Sequence, residues 1–157
     1  MSIHSVECNV GTNPITIETG KMARLADGAV VVRSGDTVVL VTVVSATKVK
    51  EGQTFFPLSV DFEEKLYAVG RIPGGYLKRE ARPSEKGTLT ARMIDRPIRP
   101  GFADGFKREV HIVATTFVAD QVNQPDTICV MGASAALMLG TAPFDGPAAC
   151  VRIGRNV

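Results

Sequence analysis

The first seventy residues alternate short β-branched apolar runs with turn residues, a pattern typical of antiparallel strands. The runs that predict strands are residues 16–18, 29–33, 37–45 and 57–62. Ser34-Gly35-Asp36 lies between two of these runs and favours a hairpin.

The second half of the chain mixes strands and helices. Residues 110–118 are another β-branched run, and residues 148–153 predict a last strand. Residues 126–139 are apolar almost all round, with several small side chains, which indicates a helix packed inside the domain. Pro125 suits the first turn of that helix, and Gly140 ends it.

A second helix is expected over residues 85–95. Ser84 is a suitable N-cap, and Glu85 faces the positive end of the helix dipole. Pro97 and Pro100 disfavour continuation of the helix. These elements predict an α+β domain with a mixed, largely antiparallel sheet and helices packed on one face. The last predicted strand is followed by nothing, which we interpret as a truncated domain.

Composition and cysteine spacing limit the classes of protein to which the chain can belong. With 45% hydrophobic residues the chain can bury a core. No apolar run reaches the roughly 18 residues that span a bilayer, and the first residues lack the pattern of a signal peptide. Cys8, Cys129 and Cys150 are widely spaced, so we expect buried, reduced thiols in a cytoplasmic protein.

Positive charge is concentrated in residues 71–108, here called the basic segment. It contains ten basic and four acidic residues, whereas the rest of the chain contains eight basic and twelve acidic ones. This distribution favours binding of a polyanion, and RNA is the candidate. With no tryptophan and two tyrosines, binding has to depend mainly on charge.

Arginines on the predicted helix are the first candidate binding residues. Arg92 and Arg96 are four apart and so lie on one helix face, and Arg99 continues that row or marks the exit turn. Guanidinium groups can hold phosphate oxygens in a bidentate manner. The alternative is a structural ion network with acidic neighbours. Lys78, Arg79 and Arg82 on the preceding loop favour anion binding.

The loop itself is less specific. Its glycines match neither a Walker loop nor a dinucleotide fingerprint. Tyr76 either stacks on a base or packs against the base of the loop. Asp61 and Glu63 are separated by one residue on a predicted strand, which favours a solvated face over a metal site. No complete active site is evident from the residues.

Several motifs resemble the start of the bacterial polynucleotide phosphorylases, over essentially the whole chain. They are Phe55-Phe-Pro-Leu58, Gly70-Arg-Ile-Pro-Gly74, Arg82-Pro-Ser-Glu85, Met131-Gly-Ala-Ser-Ala-Ala-Leu137 and, most specific, residues 90–100. The resemblance implies that residues 1–157 are most of the first of two ribonuclease-PH-like core domains.

The resemblance also implies an activity. The family degrades mRNA from the 3′ end by phosphorolysis, with inorganic phosphate as co-substrate, and polymerises nucleoside diphosphates in reverse. It implies Mg²⁺ bound by a second core domain, a homotrimeric ring, single-stranded RNA as ligand and degradosome-type partners. This chain would then be an RNA-binding half without catalytic residues or metal ligands of its own.

Individual residues carry over in the same way. Arg92 and Arg96 match arginines that hold the RNA 3′ end, while Lys78 and Arg79 fall in the loop that lines the pore. Tyr76-Leu77 replaces a pair of aromatics found there in many relatives. Ribonuclease PH has a phosphate-binding Gly-Gly-Thr-Arg run where this chain reads Asn123-Gln-Pro-Asp126, which argues against a phosphate site here.

Two other functions remain to be weighed. One is a stand-alone RNA-binding ring subunit of an exosome-like assembly, which a longer reading frame with paired aspartates would exclude. The other is a small-molecule kinase of similar fold, which would need a glycine-rich ATP loop that the sequence lacks.

Overall fold

The structure is a computed structural model that describes residues 2–10, 13–74, 80 and 82–155. The strands are β1 (His4–Val10), β2 (Asn13–Thr19), β3 (Gly28–Ser34), β4 (Thr37–Ser45), β5 (Leu58–Glu63) and β6 (Val110–Val118). The helices are α1 (Glu85–Ile98) and α2 (Pro125–Leu139), with short 3₁₀ turns at Leu66–Val69 and Arg99–Gly101.

The strands form one sheet in the order β1-β2-β3-β4-β6-β5. Neighbouring strands are antiparallel except β5 and β6, which are parallel and are joined through α1. Parallel neighbours need such a crossover because the chain must return to the end of the sheet where the first strand began, which a tight turn cannot do. The predicted α+β class, with a largely antiparallel sheet, is confirmed.

Both helices pack on the same face of the sheet. Alternate residues of the central strands point toward them, among them Val32, Val41 and Ile112, all fully buried. These side chains join Ile94 of α1 and Leu137 of α2 in one hydrophobic cluster. The helices and this face therefore enclose the core, and the other face of the sheet carries partly exposed residues.

Helix α2 lies close against β3 and β4 because its contact face is small. A Cβ atom at Gly132 would lie 2.8 Å from a methyl of Val41 and 2.9 Å from one of Val32. The missing side chain therefore sets the approach of the helix to the sheet. The prediction of a tightly packed, small-faced helix is confirmed.

The prediction for the end of α1 was wrong. The helix continues past Asp95 to Ile98 and includes Pro97 in its last turn. Ile94 and Ile98 are both fully buried. Their burial offsets the hydrogen bond that Pro97 cannot donate.

The strand predicted over residues 148–153 is absent from the described part of the chain, where this segment pairs with no strand. It is fixed by side chains of α2 instead. The main-chain N–H of Ala148 donates to Ser134 Oγ at 2.8 Å, and Arg152 forms an ion pair with Asp126. Conversely, β1 was not predicted from the sequence.

The expectation of buried thiols holds for one of the three cysteines. All three are free, with Cys129 buried, Cys150 partly exposed and Cys8 exposed on β1. Burial raises the pKa of the Cys129 thiol and keeps it neutral. Neither α1 nor α2 is long and apolar enough to cross a bilayer.

Candidate nucleic-acid interface

Helix α1 begins at a well-formed cap. Ser84 Oγ accepts a hydrogen bond from the Gly87 N–H at 2.8 Å, as the sequence predicted. Thr90, Ile94 and Ile98 follow at one-turn intervals and are buried. The opposite side of the helix consequently faces solvent.

Arg92 and Arg96 lie on that exposed side, one turn apart, as their spacing predicted. Among the described residues, neither guanidinium makes a hydrogen bond or an ion pair. Both line a cleft of about 420 Å³, here called the arginine cleft. The rest of its lining is Leu89, Met93, Pro97, Ala149 and Cys150. Two charged, unpaired donors over an apolar floor form a site suited to an anionic group with an apolar part.

Arg99 is arranged differently. Its guanidinium donates to both carboxylate oxygens of Asp95, at 2.7 and 3.1 Å. It also donates to the carbonyl oxygens of Phe56 and Leu58, and it lies over the Phe56 ring. These contacts use most of its hydrogen-bonding capacity, and they fasten the end of α1 to the start of β5.

Arg82 lies at the other end of α1. It lines a separate cleft with Glu63, Glu64 and Glu80, so its surroundings are largely acidic. Tyr76, Lys78 and Arg79 lie outside the described residues. Of the residues predicted to bind RNA, the structure thus brings Arg92 and Arg96 together, places Arg99 beside them and places Arg82 apart.

The entrance to α2, where a phosphate-binding run would lie, is occupied by acidic side chains. Asp126 accepts a hydrogen bond from the Thr127 N–H at 2.8 Å and pairs with Arg152. Just before the helix, the Asp120 carboxylate accepts from the main-chain N–H and the side-chain amide of Asn123, at 2.7 and 2.6 Å. These bonds hold the pKa of Asp120 well below its usual range. Both carboxylates therefore have hydrogen-bond donors within the described part of the chain.

A larger cavity of about 510 Å³ lies between the start of α2 and the 3₁₀ turn after β5. Thr116 lines it, and the hydroxyl of this buried residue has no partner in the described part of the chain. Lys86 and Glu64 also line it, with their charged atoms 4.0 Å apart. The cavity therefore contains charges of both signs.

The acidic residues of β5 form ordinary surface pairs. Asp61 Oδ2 lies 2.7 Å from His111 Nε2, and Glu63 lies 3.0 Å from Lys65 Nζ, whose pKa this hydrogen bond raises. Across residues 2–10, 13–74, 80 and 82–155, no three His, Cys, Asp or Glu side chains converge as metal ligands would. The residues described here therefore do not fit a magnesium site.

Sequence reasoning missed the contribution of residues 149 and 150 to the arginine cleft. Ala149 and Cys150 were assigned to a strand, and no local signal relates them to α1. Their position depends on the path of the chain after α2, which includes the Ala148 contact with Ser134. Only the tertiary structure supplies that information.

The fold agrees with a comparison against protein-family models. The model of the 3′ exoribonuclease family, domain 1 (ribonuclease PH) matches residues 12–143. The chain belongs to this family.

Individual relatives are more specific. The polyribonucleotide nucleotidyltransferase of Akkermansia muciniphila is 66% identical over 155 residues, which cover 99% of this chain and 22% of the relative. That of Rhodopseudomonas palustris strain TIE-1 is 56% identical over 98% of this chain and 21% of the relative. The chain thus spans about a fifth of the length of the relatives it matches.

Solved structures share the fold. A chain of the Archaeoglobus fulgidus exosome with RNA bound to the active site superimposes with a TM-score of 0.57 at 18% identity, covering 88% of this chain and 51% of that one. Rice Rrp46 gives a TM-score of 0.60 at 14% identity, with 84% and 58% covered. At these identities the likeness concerns the fold alone.

Proposed function

We propose that this chain provides the RNA-binding, non-catalytic core half of a polyribonucleotide nucleotidyltransferase, a phosphorolytic 3′→5′ exoribonuclease. Membership of the 3′ exoribonuclease family and 66% identity to an enzyme of that name support the reaction class. The proposal concerns a larger enzyme, because the chain matches about a fifth of that relative.

The observation that carries the RNA-binding role is the pair Arg92 and Arg96. Both are exposed, both line one cleft, and neither has a partner among the described residues. Arg99, by contrast, pairs with Asp95. Asp95 is thus taken by Arg99, and the two remaining guanidiniums are available for phosphates of the RNA 3′ end.

In the proposed reaction an oxygen of inorganic phosphate attacks the phosphorus of the last internucleotide linkage. The bond from that phosphorus to the 3′ oxygen of the preceding nucleotide breaks, and a nucleoside diphosphate leaves. The shortened RNA keeps the 3′ oxygen as a hydroxyl. A divalent ion such as Mg²⁺ supplies neutralisation of the crowded phosphates when bound. Arg92 and Arg96 hold the RNA end in line for this attack.

The catalytic phosphate and metal are assigned to another part of the enzyme. Support comes from Asp126 at the entrance to α2, since its carboxylate already accepts the Thr127 N–H that a phosphate at this helix end would use. The described residues also lack a cluster of metal ligands. This half then contributes binding and orientation rather than bond-making groups.

The remaining predicted residues fit the same role. Lys78 and Arg79, which precede α1 in the sequence, guide the RNA strand toward the arginine cleft, and Tyr76 is a candidate for base stacking. Arg82 adds charge close to them in the sequence, and Arg99 braces the helix that carries Arg92 and Arg96. The full-length enzyme would form a homotrimeric ring with degradosome-type partners. Lys78 and Arg79 would then line the central pore of that ring.

Replacement of Arg92 and Arg96 by alanine in the full-length enzyme tests the proposal. Phosphate-dependent release of nucleoside diphosphates from a long single-stranded RNA should fall by at least about a hundredfold, because two charge-assisted contacts are worth about 3 kcal/mol together. Arg24→Ala, distant in sequence, is the control and should retain activity. Near wild-type turnover by the double variant would refute the role of this pair.

The alternative is a stand-alone RNA-binding subunit of an exosome-like ring. High identity to polyribonucleotide nucleotidyltransferases favours the first function. An assay of the full-length protein for degradation of RNA with and without phosphate separates the two. The enzyme should degrade RNA only when phosphate is present. If the full-length protein binds RNA without degrading it, the alternative is correct.

A further inference from the structure

Asp95 is the carboxylate nearest in sequence to both arginines of the arginine cleft. It lies three residues after Arg92 and directly before Arg96. Residues three apart on a helix are neighbours, and at about 100° per residue Asp95 lies about 60° around the helix from Arg92. A carboxylate in this place can pair with Arg92 and so compete with an RNA phosphate for its guanidinium.

In the structure the Asp95 carboxylate is directed to the other end of the helix. Both of its oxygens accept hydrogen bonds from Arg99, one turn further on, at 2.7 and 3.1 Å. A bidentate pair of this kind is among the strong hydrogen-bonding arrangements in proteins. The Asp95 side chain is 27% exposed, so water screens its charge incompletely, and Arg99 is the group that neutralises it.

Arg99 is itself held by groups other than Asp95. Its guanidinium donates to the carbonyl oxygens of Phe56 and Leu58 at 3.4 and 3.3 Å, and the guanidinium carbon lies 5.7 Å from the centre of the Phe56 ring. That ring packs against Phe102, with the ring centroids 4.7 Å apart. The guanidinium is therefore fixed by the segment that begins β5, and it keeps the carboxylate at this end of the helix.

We propose that Arg99 is a positioning residue that occupies Asp95, so that Arg92 and Arg96 keep their positive charge for the RNA 3′ end. The inference rests on the proposed function, and it assigns to Arg99 an action through Asp95 in place of direct contact with phosphate. Without Arg99, the carboxylate pairs with Arg92 across three residues of the helix, and the arginine cleft loses one positive charge.

A brace alone would behave differently. If Arg99 only fastened α1 to the start of β5, a second substitution at Asp95 would leave the helix no better fixed and RNA binding no stronger. If Arg99 acts by occupying Asp95, a neutral side chain at position 95 removes the need for Arg99. The combination of the two substitutions therefore separates the two roles.

The test measures kcat and KM for phosphorolysis of a short single-stranded oligoadenylate by the full-length enzyme. Arg99→Met should raise KM about threefold or more with little change in kcat, because the freed Asp95 carboxylate competes for Arg92 during binding. D95N/R99M should return KM to near the wild-type value, because an amide has no charge with which to compete. Lys21→Met is the matched control. It frees the Glu18 carboxylate on β2, four strands from β5, and should leave KM unchanged.

Three results would overturn the inference. They are an unchanged KM in Arg99→Met, a D95N/R99M variant as impaired as Arg99→Met, and a raised KM in Asp95→Asn, which keeps Arg99 and should bind RNA at least as well as wild type. The last variant decides the matter even if Arg99→Met does not fold, which circular dichroism detects.

R92A/R96A, assayed in parallel, tests the proposed function itself. If it loses turnover while Asp95→Asn fails to rescue Arg99→Met, only the role given to Arg99 is refuted. If it turns over RNA like wild type, the proposed function fails, and this inference fails with it.

Discussion

Thr37 at the start of β4 and Asp120 after β6 are joined by two hydrogen-bond contacts. The Thr37 hydroxyl lies 3.0 Å from a carboxylate oxygen of Asp120, and the Asp120 main-chain N–H donates back to the same hydroxyl at 3.2 Å. Asn123 closes the arrangement, with its carbonyl oxygen 2.8 Å from the hydroxyl. This network joins the β3–β4 turn to the loop that enters α2.

The network predicts a contrast between two buried threonines. Thr37→Val removes a bonded hydroxyl and should lower the free energy of unfolding by about 1–3 kcal/mol. Thr116→Val removes a buried hydroxyl that has no partner in the described part of the chain, so it should be neutral or stabilising. Urea unfolding measures both. Equal losses in the two variants would contradict this contrast.

Asp120 should make stability depend on pH. Its folded pKa is lowered by the donors around it, so its contribution is fully present above the unfolded pKa of about 4. The contribution is lost as the pH falls through the lower folded pKa. The difference in Tm between wild type and Asp120→Asn should therefore shrink from pH 7 to pH 3.

Asp104→Asn is the control for that experiment, since Asp104 is exposed and forms no hydrogen bond or ion pair within the described ranges. Its Tm offset from wild type should be small and should stay constant across the same pH range. A constant offset for Asp120→Asn as well would show that its hydrogen bonds do not depend on the charge.

Replacement of Gly132 by alanine should destabilise the fold. Gly132→Ala forces contacts below 3 Å with Val32 and Val41, and this overpacking costs about 1–3 kcal/mol. The higher helix propensity of alanine offsets about 1 kcal/mol of this cost. Gly87→Ala in α1 is the comparison, because its nearest contact would be 3.3 Å, from Ser84 Oγ, so the same gain in propensity meets a smaller clash and this variant should lose less stability than Gly132→Ala. Thermal unfolding of both variants decides whether packing or propensity prevails.

Lys78 and Arg79, which precede α1 in the sequence, should contribute charge to RNA binding. Replacing Lys78 and Arg79 by alanine in the full-length enzyme should weaken affinity for long single-stranded RNA. The slope of log K against log salt should fall by about 1.4, at roughly 0.7 per phosphate contact. Filter binding at several salt concentrations measures this slope. An unchanged slope would remove these two residues from the RNA path.

The sequence predicted the elements whose own pattern decides their structure. Strands β4 and β6 have the predicted bounds because their β-branched runs are long and because six of the nine residues of β4 and four of the nine residues of β6 are buried. Strand β1 has no such pattern, since all its side chains are exposed and its conformation depends on β2. Residues 148–153 show the converse, because an apolar composition forms no strand without a neighbour to pair with.

The candidate site was predicted to a similar degree. A spacing of four residues correctly places Arg92 and Arg96 in one cleft. Arg99 is arranged differently because it donates to the carbonyl oxygens of Phe56 and Leu58. The sequence does not show that the start of β5 lies beside the end of α1. Binding of RNA by these residues stays a prediction.

The order of strands has a consequence for how this domain can change during evolution. Strand β4 pairs directly with β6, although the chain between them includes β5, the basic segment and α1. Within that segment the buried residues Ile94 and Ile98 keep α1 packed on the sheet. Selection on ligand preference can therefore act on the exposed side of α1, which carries Arg92 and Arg96, while the buried side and the β4–β6 ladder are kept.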